Sequence, residues 1–169
     1  MSARAESKSA AVKNRTTVER KSDREVVVTR MINGPARLVF EAFTTAELFK
    51  RWWVPKSIGM KLLSCEIDAR VGGKYRLVFD HSPEPVAFFG TYLEVQPNSR
   101  LSWTNEEGGE GGPVTTATFE EQGGKTLIVL TDRHSSKEAL DAAGMGAMEA
   151  MDETFDQLEE MLGAPGERS

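Results

Sequence analysis

The sequence predicts a two-layer α+β domain, an antiparallel sheet wrapped against one long C-terminal helix, and three observations predict it. Six strand-like segments follow one another between residues 60 and 134, separated by glycine- and proline-rich turns. Within several of them apolar residues recur at every second position, as in a sheet with one buried face. The last segment instead repeats its apolar residues every three or four positions, as in a helix with one buried stripe.

The first strand is REVVVTRMI from Arg24 to Ile32, rich in β-branched residues and ended by Asn33, Gly34 and Pro35. Pro35 suits the first turn of a short helix, in which Ala36, Val39, Phe40 and Phe43 share a face. Thr44 and Glu47 have capping-box spacing and predict a second short helix, running toward Trp52 and Trp53 and stopped by Pro55. The six segments that follow are MKLLSCEID, KYRLVFD, AFFGTYLEVQ, RLSWTNE, VTTATFEE and KTLIVLTDRH, so the sheet is predicted to have seven strands. Their alternation places Tyr75, Leu77 and Phe79 on the buried face, with Phe89, Leu93 and Val95, Leu101 and Trp103, Ala117 and Phe119, and Leu127 and Val129. A helix from Ser136 to Leu162 would reach about 40 Å. Its buried stripe is Met148, Met151, Phe155, Leu158 and Leu162, Ser135 with Glu138 has the capping spacing, and Gly144 and Gly146 interrupt its early part.

With 169 residues, the chain can bury one real core and is cramped for two domains. Residues 1–23 carry six basic residues against three acids and are read as a disordered basic tail; 24–163 form the domain and 164–169 a C-terminal tail. Since the whole chain has a net charge of −5, the part after the basic tail carries −8, which disfavours nucleic acid as a partner. No apolar run is long enough for a membrane span and no secretory h-region is present, so the expected location is the cytoplasm without integral membrane association. Cys65 is the single cysteine, which excludes an internal disulfide framework.

The order strand, two short helices, six strands, long helix resembles the START-like superfamily, also called SRPBCC, whose helix-grip fold (START/Bet v-like) curves an antiparallel sheet around the last helix. Within it the local text is similar to the AHSA-like family, homologous to activators of a heat-shock ATPase. The segments that carry the likeness are RMINGPARLVFEAF of residues 30–43, Arg51-Trp52-Trp53, CEIDARVGGKYR of residues 65–76, and AMEAMDETFDQLEEML of residues 147–162. The resemblance implies an apolar cavity between sheet and helix in which relatives hold lipids, polyketides or other hydrophobic molecules.

The residues expected to bind such a ligand come from both layers. The helices contribute Trp52 and Trp53 at a pocket mouth and Met145, Met148, Met151 and Phe155 on the long helix, where the thioethers adapt to irregular shapes. The sheet contributes Tyr75, Phe79, Phe89, Trp103 and Phe119, with His134 as a polar group near the end of its strand. Core packing is the competing role for every apolar member of this set. Asp132 and His134, two residues apart, share a side of one strand and suit an acid–base pair, or else are solvated polar residues at a strand end. Glu66, Asp68, Arg70 and Arg76 read as cross-strand pairs on the solvent face. No metal-ligand spacing, nucleophile motif or phosphate-binding loop occurs, and no cofactor is expected. The reading is therefore binding of a hydrophobic or amphipathic small molecule or lipid, by a monomer or weak dimer. The alternatives are a cyclase- or hydrolase-like enzyme in the same cavity and a co-chaperone-like module with a protein partner.

Overall fold

The computed structural model describes residues 15–109 and 111–163. Strands β1 (Thr16–Arg20) and β2 (Glu25–Asn33) lead into helices α1 (Ala36–Thr44) and α2 (Ala46–Trp52) and a 3₁₀ turn over Lys56–Ile58. Strands β3 (Leu62–Ile67), β4 (Lys74–Phe79), β5 (Val86–Gln96), β6 (Arg100–Thr104), β7 (Val114–Gln122) and β8 (Lys125–Arg133) follow, then helices α3 (Lys137–Ala143), α4 (Gly146–Glu149) and α5 (Met151–Gly163). All pairings are antiparallel, in the order β1-β2-β8-β7-β6-β5-β4-β3.

The sheet thus has eight strands where the sequence pattern predicts seven. The additional one, TTVER, falls inside the segment read as a tail; it pairs with β2 from Thr16 opposite Arg30 to Arg20 opposite Val26. Backbone pairing onto an existing edge explains a strand that local hydrophobicity does not announce. The rest of that tail, residues 1–14, and the C-terminal residues 164–169 lie outside the described residues.

The helices cover one face of the sheet. Helix α1 rests on β7 and β8, α2 on β3, α4 and α5 on β2, and α5 also packs on α1 and α2. The concave faces of β4, β5 and β6 lie between these supports. Fully buried Val28, Ile32, Val39, Trp52, Ile128, Phe155 and Leu158 form the heart of the core. Each such side chain contributes about 1.5–3 kcal/mol by leaving water.

Three local expectations are corrected. The long C-terminal helix is divided: Gly144, at φ 71°, ends α3, and α4 and α5 follow as separate pieces. Thr44 does not cap α2, because its hydroxyl bonds back to the carbonyl of Phe40 and Thr45 takes the cap position; likewise Ser136, not Ser135, caps α3 by accepting from the amide of Ala139. The inward face of β8 is Thr126, Ile128 and Leu130, not Leu127 and Val129. Both sets alternate equally well in the sequence, and only the pairing with β2 and β7 fixes the phase.

Arg30 takes an unusual place, on the concave face between Val28 and Ile32. Its guanidinium is wholly buried and reaches Asp156 at 2.8 Å and Glu159 at 2.6 Å on α5, and Thr16 at 2.9 Å on β1. A buried cation is tolerated because acceptors surround it. Gln157 fastens the other side of α5: its amide nitrogen donates to the carbonyls of Trp52 and Val54, both at 2.9 Å, and its oxygen accepts from the amide of Lys56 at 2.8 Å.

Candidate functional site

The expected ligand-binding residues divide into three groups. Trp52 is wholly buried, donates its indole N–H to the carbonyl of Ala42 at 3.0 Å, and contacts the rings of Phe43 and Phe155 at centroid distances of 4.8 and 6.4 Å. Phe119 joins this cluster at 5.0 Å from Phe43. With Met151 also buried, side chains take up the interior beneath α5 where the sequence reading places a cavity. Trp53 is half-buried and stacked on Phe49 at 4.8 Å, and Phe79 is buried against Phe88.

Phe89 is the clear correction. It stands opposite Arg76 on the outer face of the sheet and is 37% exposed, while Tyr92 takes the inward position. The register shift between Tyr92 and Glu94 leaves Leu93 as an extra residue, 45% exposed. A bulge of this kind reverses which side chains face the core, so one unbroken alternation from Phe89 to Val95 does not hold.

The third group gathers at the open end of the concave face, over β4, β5 and β6. Ile67 and Tyr75 are paired across β3 and β4, Tyr75 faces Gly90, and Tyr92 faces Trp103. Tyr75 and Tyr92 lie 5.9 Å apart at 62°, Tyr92 and Trp103 6.4 Å apart at 69°. Gly90 makes this crossing possible: a methyl group there would lie 2.0 Å from the carbonyl oxygen of Thr104 and 2.8 Å from Cε2 of Tyr75. Met145 is half-buried at the α3–α4 junction, and Met148 is buried on α4, which packs on β2.

A chain of polar groups runs beside the rings. The Tyr75 hydroxyl donates to the carbonyl of Thr104 at 2.8 Å and lies 3.3 Å from Oδ1 of Asn105. The Asn105 amide donates to the carbonyl of Pro113 and to Oγ1 of Thr115, both at 2.9 Å. The Thr115 hydroxyl then donates to Oδ1 of Asp132 at 2.6 Å. Asp132 is turned inward by its position opposite Thr115 on the concave face, and among the described residues Thr115 alone donates a hydrogen bond to it. Burial raises its pKa, opposed by the Thr115 hydrogen bond and the charge of His134. His134 is itself buried and its backbone N–H donates to the carbonyl of Arg24. Burial also pushes up the hydroxyls of Tyr75 and Tyr92 and the Cys65 thiol. Sequence reasoning singled out Tyr75, Trp103 and His134 but missed Asn105 and Thr115; the signal for Thr115 is its alternation with Ala117 and Phe119, a hydroxyl on an otherwise apolar face.

Glu66 and Arg76 face each other across β3 and β4, and Asp68 pairs with Arg70 at 3.0 Å, on the solvent side. Two concavities open on the outer face. One of about 410 Å³ includes Glu94, Arg100, Ser102, Thr116 and Thr131; the other, of about 260 Å³, includes Glu66, Lys74, Phe89 and Glu106 and also reaches Tyr75 and Gly90. Among the described residues no helix is long and apolar enough to cross a membrane.

An antiparallel sheet curved over its last helix, with an aromatic and polar end left between the helical supports, defines a helix-grip domain of the START-like class. A family model for Activator of Hsp90 ATPase homolog 1-like proteins matches residues 33–163, and the chain belongs to that family. Among solved structures it is similar to a protein from Rhodobacter sphaeroides, with 21% identity, a TM-score of 0.78, and coverage of 89% of this chain and 99% of the other. A protein from Staphylococcus epidermidis matches at 27% identity and TM-score 0.69, covering 85% and 92% of the two chains. An AHSA1-like protein from Aeromonas hydrophila matches at 18% and 0.64, covering 79% and 92%. No curated protein matches the sequence.

Proposed function

We propose that this protein binds a small amphipathic molecule at the open end of its concave face, with the apolar part against Trp103, Tyr75 and Ile67 and the polar part at Asp132. The observation that carries the reading is the inward carboxyl of Asp132, fixed by Thr115 and Asn105 at the edge of an aromatic surface. An acceptor withdrawn from water is unfavourable unless something pairs with it. Few polar groups on an apolar wall also suit selective recognition of a small ligand.

The test is amide chemical-shift mapping during titration with a panel of phenylalkyl alcohols and sterols. Shifts concentrated at Tyr75, Tyr92, Trp103, Thr115 and Asp132 support the reading, and Thr115→Val should weaken binding. Shifts confined to the outer-face residues Arg76, Phe89, Arg100 and Thr116 would overturn it.

A second reading, catalysis in the same place, is favoured by the inward position of both Asp132 and His134. A bound substrate would then meet an acid–base pair. Turnover that is lost in His134→Gln, with ligand binding retained, is its expected signature.

A further inference from the structure

We infer that the ligand taken at this end of the concave face is an organic cation, an amphipathic molecule carrying an amine; the inference rests on the binding reading just proposed and specifies its chemistry. Three independent features point that way.

The first is the ring geometry. Tyr92 stands between Tyr75 and Trp103 with the ring planes crossed at 62° and 69°, so the three rings present faces in different directions. The faces of aromatic rings are the negative part of their quadrupole and attract ammonium groups, Trp most strongly. Tyr75 and Trp103 keep partial exposure, so a ligand can reach them.

The second is the carboxyl of Asp132. A carboxylate has about four acceptor positions. Among the described residues Thr115 alone donates a hydrogen bond to Asp132, and His134 is the cationic group that acts on it. An ammonium group placed there would supply further donors and further positive charge.

The third is the charge inventory of the concave face. Two of the arginines on this face are already held by acids of the C-terminal helices: Arg20 meets Asp141 at 2.8 Å, and Arg30 meets Asp156 and Glu159. Asp132 is among the charges that push up the Tyr75 hydroxyl. A second carboxylate placed beside Asp132 would be repelled by it, whereas an amine is attracted. The acidic body of the chain adds attraction at longer range.

The test compares three ligands of one shape, 4-phenylbutylamine, 4-phenylbutanol and 4-phenylbutanoate, at pH 8 and low salt, followed by amide shifts of the full chain. The amine is expected to bind at least tenfold more tightly than the carboxylate, with the alcohol between them. Asp132→Asn should reduce the amine-to-carboxylate ratio at least tenfold. If the alcohol binds at the concave site but the amine has no advantage, or if Asp132→Asn leaves the ratio unchanged, the cation inference fails and the binding reading stands. If none of the three moves the signals of Tyr75, Trp103 or Thr115, both fail.

Discussion

Arg30 and Glu159 stand 129 residues apart in sequence and 2.6 Å apart in space, and this contact ties the last helix to the second strand of the sheet. The guanidinium is wholly buried, whereas the Glu159 side chain keeps 16% exposure and that of Asp156 39%. Most of the desolvation therefore falls on the cation.

Arg30→Ala should destabilise the domain by about 3 kcal/mol, because it removes a buried partner and leaves clustered acids without compensation. Arg30→Met restores volume and should recover part of that loss. Urea denaturation of the three proteins measures both differences; equal stability for wild type and Arg30→Ala would remove the clamp from the account of how α5 is held.

Gln157→Leu takes away two donors and one acceptor that bind the segment from Trp52 to Lys56. The expected cost is roughly 2 kcal/mol, since buried carbonyls and an amide lose their partners. Hydrogen exchange reads the effect locally: the amide of Lys56 should exchange much faster while the amides of β8 are little changed.

Gly90→Ala tests the close crossing of β5, β6 and Tyr75. The new methyl would meet backbone at 2.0 Å, which cannot yield as a flexible side chain would, so the strands must move. A loss of about 1–3 kcal/mol is expected, the range for overpacked sites. The Tyr75 ring signals should shift with it. Unchanged stability would show that the β5–β6 ladder adjusts freely.

Asp132→Asn should be more stable than wild type near neutral pH. Burial raises the pKa of Asp132 above its ordinary value, so the folded state favours the protonated form. That contribution to wild-type stability is fully present below the unfolded pKa and is lost as pH rises through the folded one. Near neutral pH the wild type therefore carries the penalty of a buried carboxylate that the amide variant lacks, and the gap should close on acidification into the ordinary carboxylate range. Paired thermal melts at both pH values check the sign; a variant that is less stable near neutrality would mean that ionised Asp132 is held more favourably than its burial implies.

What the sequence determined by itself was everything encoded by short-range pattern. The alternation in KYRLVFD and VTTATFEE, the three-and-four spacing from Met148 to Leu162, and the turn residues Asn33-Gly34-Pro35 suffice to specify the layers and most element limits. The RWW and CEIDARVGGKYR segments further disclosed the family. Tertiary structure alone decided the rest. TTVER becomes a strand only because β2 offers it an edge, and Phe89 turns outward because Leu93 is an extra residue in β5 against β6. Trp52 became core rather than pocket through its contacts with Phe43 and Phe155, one of them on a distant helix. Thr115, Asn105 and Asp132 form a polar chain only when β6, β7 and β8 lie side by side. The physical reason is common to all of these: each depends on pairing between residues remote in sequence, whose register and phase no local pattern contains.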